Sequence, residues 1–485
     1  MSPSLRASAD RLPCRRLLIL AVLFLTVATG CGESGSQIRP RRAVPDQNAV
    51  PLIFISLDTF RADALGVQRR GRPSISPALD RFAEDAVIFR HAVAPMPFTL
   101  PSHITMFTGV QPGVHRVTTE KDRLSTALRT LPEILQAAGY RTDGRVTNDW
   151  LKADFGFARG FDSYDRIPHR LTYADRLNRE ALGLLPKSKK NASGPFFLFL
   201  HYMDPHSDFT HVGRNRLPYW SPEEVREELA FGDDAFCDAE NRCATAYLLS
   251  ADRENRPVPE EELIALKDLY EAGIRGLDAE LGDLFDELRR RGLYDPALIV
   301  VTSDHGEEFR EHGRFLHSQV YEESVAVPLL IKLPGSRRAG QQVRPVVRLS
   351  DLLPTLTELL GLPTPPHVQG QSLVPLIEEG PWQGLPALSQ DKLVRSRFGL
   401  RTRSHKLIYE FKTGAAELYD LRTDPGERNN LAQEQPELTE RMTSRLRAEV
   451  RDGRLRAKEL PVVEVEGDSQ LTAEERERLR SLGYL

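Results

Sequence analysis

The sequence predicts an α/β fold, a mostly parallel sheet covered by helices, with a smaller α+β unit carrying an antiparallel sheet at the carboxyl end. Three observations predict it. Leu52–Leu57, Phe196–Leu200 and Ala297–Val301 are continuous apolar runs of strand length, the pattern of strands covered on both faces of a parallel sheet. Ahead of the third run, Leu263, Leu266, Tyr270, Ile274, Leu277, Leu281, Leu284 and Leu288 recur at spacings of three and four, a helical stripe that must pack on that sheet. After about residue 380 the runs shorten, as in Phe398–Arg403 and His405–Tyr409, and turn residues separate them, which reads as antiparallel strands.

The chain opens on a segment outside the fold. Arg6, Arg11, Arg15 and Arg16 precede an apolar run from Leu17 to Val27 that ends in small residues, an export signal too short to span a bilayer comfortably. Val27-Ala-Thr-Gly-Cys31 resembles a bacterial lipoprotein signal, which implies cleavage after Gly30 and a lipid on Cys31. Residues 1–30 are then the signal and 31–49, rich in Gly, Ser, Gln, Arg and Pro, a tether. The resemblance implies export to the bacterial cell envelope and a membrane anchor at Cys31, with the protein facing the periplasm or the exterior; two acyl chains suffice for stable attachment. Cys237 and Cys243, in a polar stretch, read as a short-loop disulfide of an oxidising compartment.

Within the 485 residues, 65 basic and 69 acidic side chains are interspersed to a net charge of −4, so no basic stripe is available for nucleic acid. With 40% hydrophobic and 28% charged residues the chain is globular rather than disordered. Domain limits are expected at 50–378 and 379–485.

In open parallel sheets, ligands bind outside the carboxyl ends of the strands. All three apolar runs end there in ionisable residues: Asp58; His201 with Asp204 and His206; Asp304 and His305. Asp58, Asp304 and His305 form a carboxylate, carboxylate and imidazole set, which suits Mn²⁺ or Zn²⁺ better than Ca²⁺. Asp204 reads as a turn residue before Pro205, with a second metal as the alternative. In Phe98-Thr-Leu-Pro-Ser-His-Ile-Thr-Met-Phe-Thr-Gly109, Pro101 suits the first turn of a helix and Gly109 its end. Thr99 then lies at the helix amino terminus, where backbone N–H groups favour an anion; by itself such a threonine is ordinarily a cap.

Leu57-Asp-Thr-Phe-Arg-Ala-Asp63, Ser76–Asp80, Phe98–His103 with Thr108-Gly109, and Gly139–Thr142 together resemble the ordered amino-terminal signature of the sulfatase family, part of the alkaline phosphatase superfamily. His201–His206, Ser303–Glu307, His317, Tyr321–Glu323, Leu418–Leu421 and Asp424–Leu431 continue the resemblance to the end of the chain. It implies an alkaline-phosphatase-like sandwich and a metal-dependent hydrolase of sulfuric or phosphoric esters. Carried over by residue, Asp58, Thr99, Asp304 and His305 are the metal set, with Thr99 in the nucleophile position. His206 and His317 protonate the leaving group and steady the ester oxyanions, and His103 replaces an arginine beside the nucleophile.

The departures are informative. Typical sulfatases carry a cysteine or serine that becomes formylglycine, and Thr99 cannot; Thr59 stands for a second aspartate, His305 for an asparagine, and Val146–Asp149 for a Gly-Lys-Trp-His segment. Each moves the site toward superfamily members that attack phosphorus with a metal-bound threonine, so phosphate esters, diesters foremost, are expected over sulfates. The substrate is expected to be a sulfated or phosphorylated small molecule, glycan or lipid. Alternatives are a phospho-group transferase acting on envelope glycan or lipid, and an inactive member that binds a polyanion. His201 is expected to support the site from behind, His211 and His312 to be loop histidines, and Arg401 and Lys406 to be solvated surface charges.

Overall fold

The computed structural model describes residues 49–461 except 70, 168–173, 192 and 207–242, together with residues 471–476 except 474. The signal, Cys31, most of the tether, His211 and the Cys237–Cys243 pairing lie outside the described residues. No helix among the described residues is long and apolar enough to cross a membrane.

The strands in chain order are β1 Leu52–Leu57, β2 Val87–Val93, β3 Arg141–Val146, β4 Ser163–Arg166, β5 Phe196–Tyr202, β6 Leu298–Ser303, the short β7 Glu308–Phe309 and β8 Phe315–Leu316, β9 Ala326–Lys332, β10 Gln342–Arg348, and β11 Ala387–Gln390, β12 Arg397–Arg401, β13 His405–Glu410 and β14 Ala416–Asp420. Eight of them make the main sheet, in the order β10-β2-β9-β6-β1-β5-β3-β4. Only β9 runs antiparallel to its neighbours β2 and β6; every other pairing in this sheet is parallel.

The apolar runs are continuous because the sheet has a core on each face. Along β1, Leu52 and Phe54 enter one core while Ile53, Ile55 and Leu57 enter the other. On the first face Phe54 meets Phe107 of the helix Thr99–Thr108, edge to face at 6.0 Å. On the second face lies the helix Glu260–Arg290, whose Leu266, Tyr270, Ile274, Leu277, Leu281, Leu284 and Leu288 are all buried as the periodicity predicts.

In the second sheet β11-β12-β13-β14 pair antiparallel in sequence order. Its Phe398, Leu400, Leu407 and Leu418 pack on Met442, Leu446 and Val450 of a helix over Pro436–Glu459. The charged helix expected over Leu471–Arg480 falls largely outside the described residues.

The carboxyl ends of the three central strands are brought level by register. Leu57, the last residue of β1, is paired with Tyr202 on one side and Ser303 on the other. The residues that follow therefore emerge together, at a point where the chain order reverses about β1.

Candidate active site

Asp58, Asp304 and His305 leave β1 and β6 as fully buried side chains, and their ligand atoms lie within 4.8 Å of one another. His305 Nδ1 donates to the Gly306 carbonyl at 3.0 Å, which leaves the Nε2 lone pair facing the carboxylates. That nitrogen lies 3.4 Å from Asp304 Oδ2 and 3.7 Å from Asp58 Oδ1. The Asp304 carboxylate is held by its Oδ1, which accepts from His305 N at 3.0 Å, while Asp304 Oδ2 is buried without a hydrogen bond.

Two buried carboxylates at this spacing conflict. Burial and then the Asp58 charge push the Asp304 carboxyl well above the ordinary range. Burial also works to raise Asp58, but the hydrogen bond and charge of His201, helped by His206 and His305, carry it below that range. Burial lowers His305 to about 4, so its imidazole is neutral. Two carboxylates and a neutral imidazole with converging lone pairs fit a divalent cation, which removes the conflict.

Thr59 follows Asp58 at φ 56°, the left-handed region, an uncommon place for a β-branched residue. Its carbonyl accepts from Tyr270 of the long helix at 2.9 Å, which holds the turn that separates Asp58 from the next loop.

Thr99 is the first residue of its helix and is fully buried. Thr99 Oγ1 lies 3.4 Å from His305 Nε2. Asn148 Nδ2, from the end of β3, approaches it at 3.5 Å while donating to Asp58 Oδ2 at 2.8 Å. The helix runs to Gly109, which ends it in the left-handed conformation expected.

His103, expected in a catalytic role, stands one turn further along the same helix. Its Nδ1 donates to the Thr99 carbonyl at 2.8 Å, and Ser56 Oγ donates to its Nε2 at 2.8 Å. Both ring nitrogens are therefore engaged within the protein, and His103 Nδ1 also lies 3.7 Å from Asp304 Oδ2. His103, His201 and Asp304 form a second cluster of metal-binding geometry. It requires His103 to surrender one of its two hydrogen bonds, so among the described residues the Asp58, Asp304 and His305 set is the readier one. Asp204 accepts from Ala174 N at 3.0 Å, anchoring the start of the helix Ala174–Leu184, so a structural role is the one seen.

His206 and His317 come together as expected. Their ring centres are 5.5 Å apart, and that of His317 is 4.5 Å from His305. His317 Nδ1 lies 3.5 Å from Glu307, and burial holds His317 well below its usual range. His201 supports from behind, its Nε2 3.3 Å from Asp58 Oδ2.

Arg401 and Lys406, expected as solvated charges, are buried and paired with Glu322 at 3.0 and 3.1 Å. His312, expected as a loop histidine, is paired with Glu323 at 2.6 Å. The second sheet sends Lys392 to the site instead. Burial lowers this lysine to about 8 against the opposing pull of Glu307, Glu308 and Asp58. Sequence reasoning missed Asn148 and Lys392. Asn148 follows β3, whose Arg141-Thr-Asp-Gly-Arg-Val146 lacks the apolar run that marked the other strand ends, and Lys392 sits in a polar turn.

The family profile described as Sulfatase matches residues 51–362, and one described as N-sulphoglucosamine sulphohydrolase, C-terminal, matches residues 310–454. This chain belongs to the sulfatase family. Among its relatives, arylsulfatase K of Rattus norvegicus is 32% identical over 485 residues, spanning 89% of this chain and 83% of that protein. The solved phosphonate monoester hydrolase of Agrobacterium radiobacter superposes with a TM-score of 0.65 at 21% identity, covering 83% of this chain and 96% of that one. A second structure, solved in complex with its substrate D-glucosamine-2-N,6-O-disulfate, superposes with a TM-score of 0.64 at 21% identity, covering 85% and 98%. The chain is thus an ester hydrolase of a metal-dependent sulfatase family, with the mostly parallel α/β sheet and the carboxyl-terminal antiparallel sheet of such structures.

Proposed function

We propose that this sulfatase-family hydrolase cleaves phosphate esters, diesters foremost, in preference to sulfates, and that Thr99 is its nucleophile in place of a formylglycine. The observation that carries the reading is the setting of Thr99 Oγ1, fully buried, 3.4 Å from His305 Nε2 and beside the Asp58 and Asp304 carboxylates. At the start of a helix, this oxygen also has backbone N–H groups directed toward any anion that arrives.

A divalent cation held by Asp58, Asp304 and His305 supplies Lewis-acid stabilisation of the negative charge on Thr99 and on the ester oxygens. Asn148 directs its amide N–H at Thr99 and orients the oxygen. Thr99 loses its proton to the imidazole pair His206 and His317 and attacks phosphorus, and the bond to the leaving oxygen breaks as that oxygen takes up the proton. Water then gives a proton to the same imidazoles as it attacks the phosphorus of the Thr99 ester, the Thr99 Oγ–P bond breaks, and the imidazoles pass that proton to Thr99 Oγ. Lys392 faces the ester charge. A threonine ester lacks the route by which a formylglycine hydrate collapses to an aldehyde and expels sulfate, so it must be hydrolysed at the central atom, which favours phosphorus.

The nitrogen ligand points to Mn²⁺ or Zn²⁺ over Ca²⁺. Substrates proposed are sulfated or phosphorylated glycans, lipids or small molecules, and the proposed domain limits are 50–378 and 379–485. Export and a lipid anchor at Cys31 complete the proposal, resting on the Arg-led apolar run and the Val27–Cys31 sequence. The test offers one aryl group as sulfate, phosphate monoester and phosphate diester to chelated enzyme resupplied with each metal. The expected result is faster turnover of the phosphate esters with Mn²⁺ or Zn²⁺; preference for the sulfate with Ca²⁺ would overturn the reading.

A further inference from the structure

We propose that Glu475, remote from the reaction centre along the chain, is a positioning residue for the reaction: through Lys152 it fixes the turn that aims Asn148 at Thr99. The inference rests on the reading that Asn148 orients Thr99 Oγ1.

Asn148 owes its direction to that turn. Its Oδ1 accepts from Trp150 N at 3.0 Å and so caps a single 3₁₀ turn over Asp149–Leu151. With Oδ1 held there, Nδ2 is left to face Asp58 Oδ2 and Thr99 Oγ1. The Trp150 ring stands edge to face on Phe98, the residue before Thr99, with 4.8 Å between ring centres. Lys152 closes the other end of the turn, its N–H donating to the Asp149 carbonyl at 3.4 Å. A shift at Lys152 therefore carries Asn148 away from both Asp58 and Thr99.

The Lys152 side chain is buried, and its ammonium lies 3.1 Å from Asp154 and 2.8 Å from Glu475. The Asp154 side chain is 54% exposed and that of Glu475 only 15%, so Glu475 is the nearer and less screened partner. Glu475 is itself held in place. Its Oε2 accepts from Thr472 N at 2.8 Å and Thr472 Oγ1 accepts from Glu475 N at 3.1 Å, the reciprocal bonds of a capping box. On either side, Leu471 is buried in the core on the Thr99 face of the sheet, and Arg476 pairs with Glu120 at 3.2 Å. The loop of Glu120 is tied to the same turn, Arg123 Nε donating to the Asp154 carbonyl at 2.8 Å and Leu124 N to the Phe155 carbonyl at 3.2 Å.

Without Glu475 the buried ammonium keeps only a water-screened carboxylate, and it regains solvation by swinging outward with the turn. Asn148 then loses its aim at Thr99 while the contacts that hold the ester stay as they were. The loss falls on kcat rather than KM.

The test measures kcat and KM of the full, metal-loaded chain on the aryl ester it turns over fastest. Glu475→Ala and Lys152→Met should each lower kcat by at least about fivefold with KM within about twofold, and the double variant should lose no more than the worse single one. Glu475→Gln keeps an acceptor for both Lys152 and Thr472 N and should recover most of the loss. Should Glu475→Ala fail to fold, Lys152→Met carries the same expectation. Asn148→Ala is the reference: it should lower kcat, and adding Glu475→Ala to it should lower kcat no further. Unchanged kcat in Glu475→Ala and Lys152→Met while Asn148→Ala is impaired would overturn the inference alone, as would a Glu475→Ala loss that adds in full to that of Asn148→Ala. Unchanged kcat in Asn148→Ala would overturn the reading of Asn148 itself, and the inference with it.

Discussion

The Thr99 hydroxyl, proposed as the nucleophile, lies 3.4 Å from His305 Nε2. Its neighbours His305 and Asn148 keep other partners, Gly306 and Asp58. Thr99→Ala should therefore abolish turnover, while urea unfolding shows a loss of only about 1–2 kcal/mol; turnover that survives in a folded variant would remove Thr99 from the reaction. Lys392 sets a pH limit. With burial lowering it to about 8, its charge is present below that pH and lost above it. KM for an anionic ester should accordingly rise as pH passes 8, and Lys392→Met should raise KM at neutral pH and abolish the alkaline limb; an unchanged profile would place the limb elsewhere. Asp58, Asp304, His305 and Thr99 were legible because each ends or begins an element with a clear pattern. Asn148 and Lys392 were not, because amide and ammonium groups in polar loops look like ordinary surface until the fold carries them inward. The buried Arg401 and Lys406 were misread for the same reason: Glu322, which pairs with both, is close in space and distant in sequence.

The central elements explain which parts of the fold the sequence revealed. β1, β5 and β6 are apolar on both faces and stand at the middle of the sheet, so burial alone marks them. Strands β5 and β6 run on to Tyr202 and Ser303, past the apolar runs, because their polar ends His201, Thr302 and Ser303 are still paired to β1. The reversed direction of β9 was not legible, since Ala326-Val-Pro-Leu-Leu-Ile-Lys332 looks the same for either direction and only pairing to β6 and β2 decides it. The Pro436–Glu459 helix escaped because charge dominates it, although Met442, Leu446 and Val450 keep the spacing of four that marks its buried side. The helix bearing Thr99 is buried along all ten residues and ends at Gly109, φ 68°. A Cβ there would come within 2.8 Å of Val368 Cγ1. Gly109→Ala should cost at least about 1 kcal/mol and lower the Tm by a few degrees, as read by calorimetry. An unchanged Tm would show that the helix end yields freely.

On the scale of the whole molecule, a two-faced sheet fixes three strand ends in register, and the second sheet adds a lysine to the cluster they form. The proposed anchor at the other end of the chain is tested by palmitate labelling in a bacterial host, which should depend on Cys31; a freely soluble, unlabelled wild-type chain would remove the anchor. The central claim is that the reaction passes through a Thr99 ester at phosphorus. Its most direct test mixes the metal-loaded enzyme with an aryl phosphate diester, quenches in acid within the first turnover, and examines the peptide containing Thr99 by mass spectrometry. The account predicts a phosphoryl-ester adduct on Thr99 that appears before free product accumulates and is absent from Thr99→Ala. An enzyme that turns over the diester with Thr99 unmodified at every quench time, and with the variant still active, would contradict it.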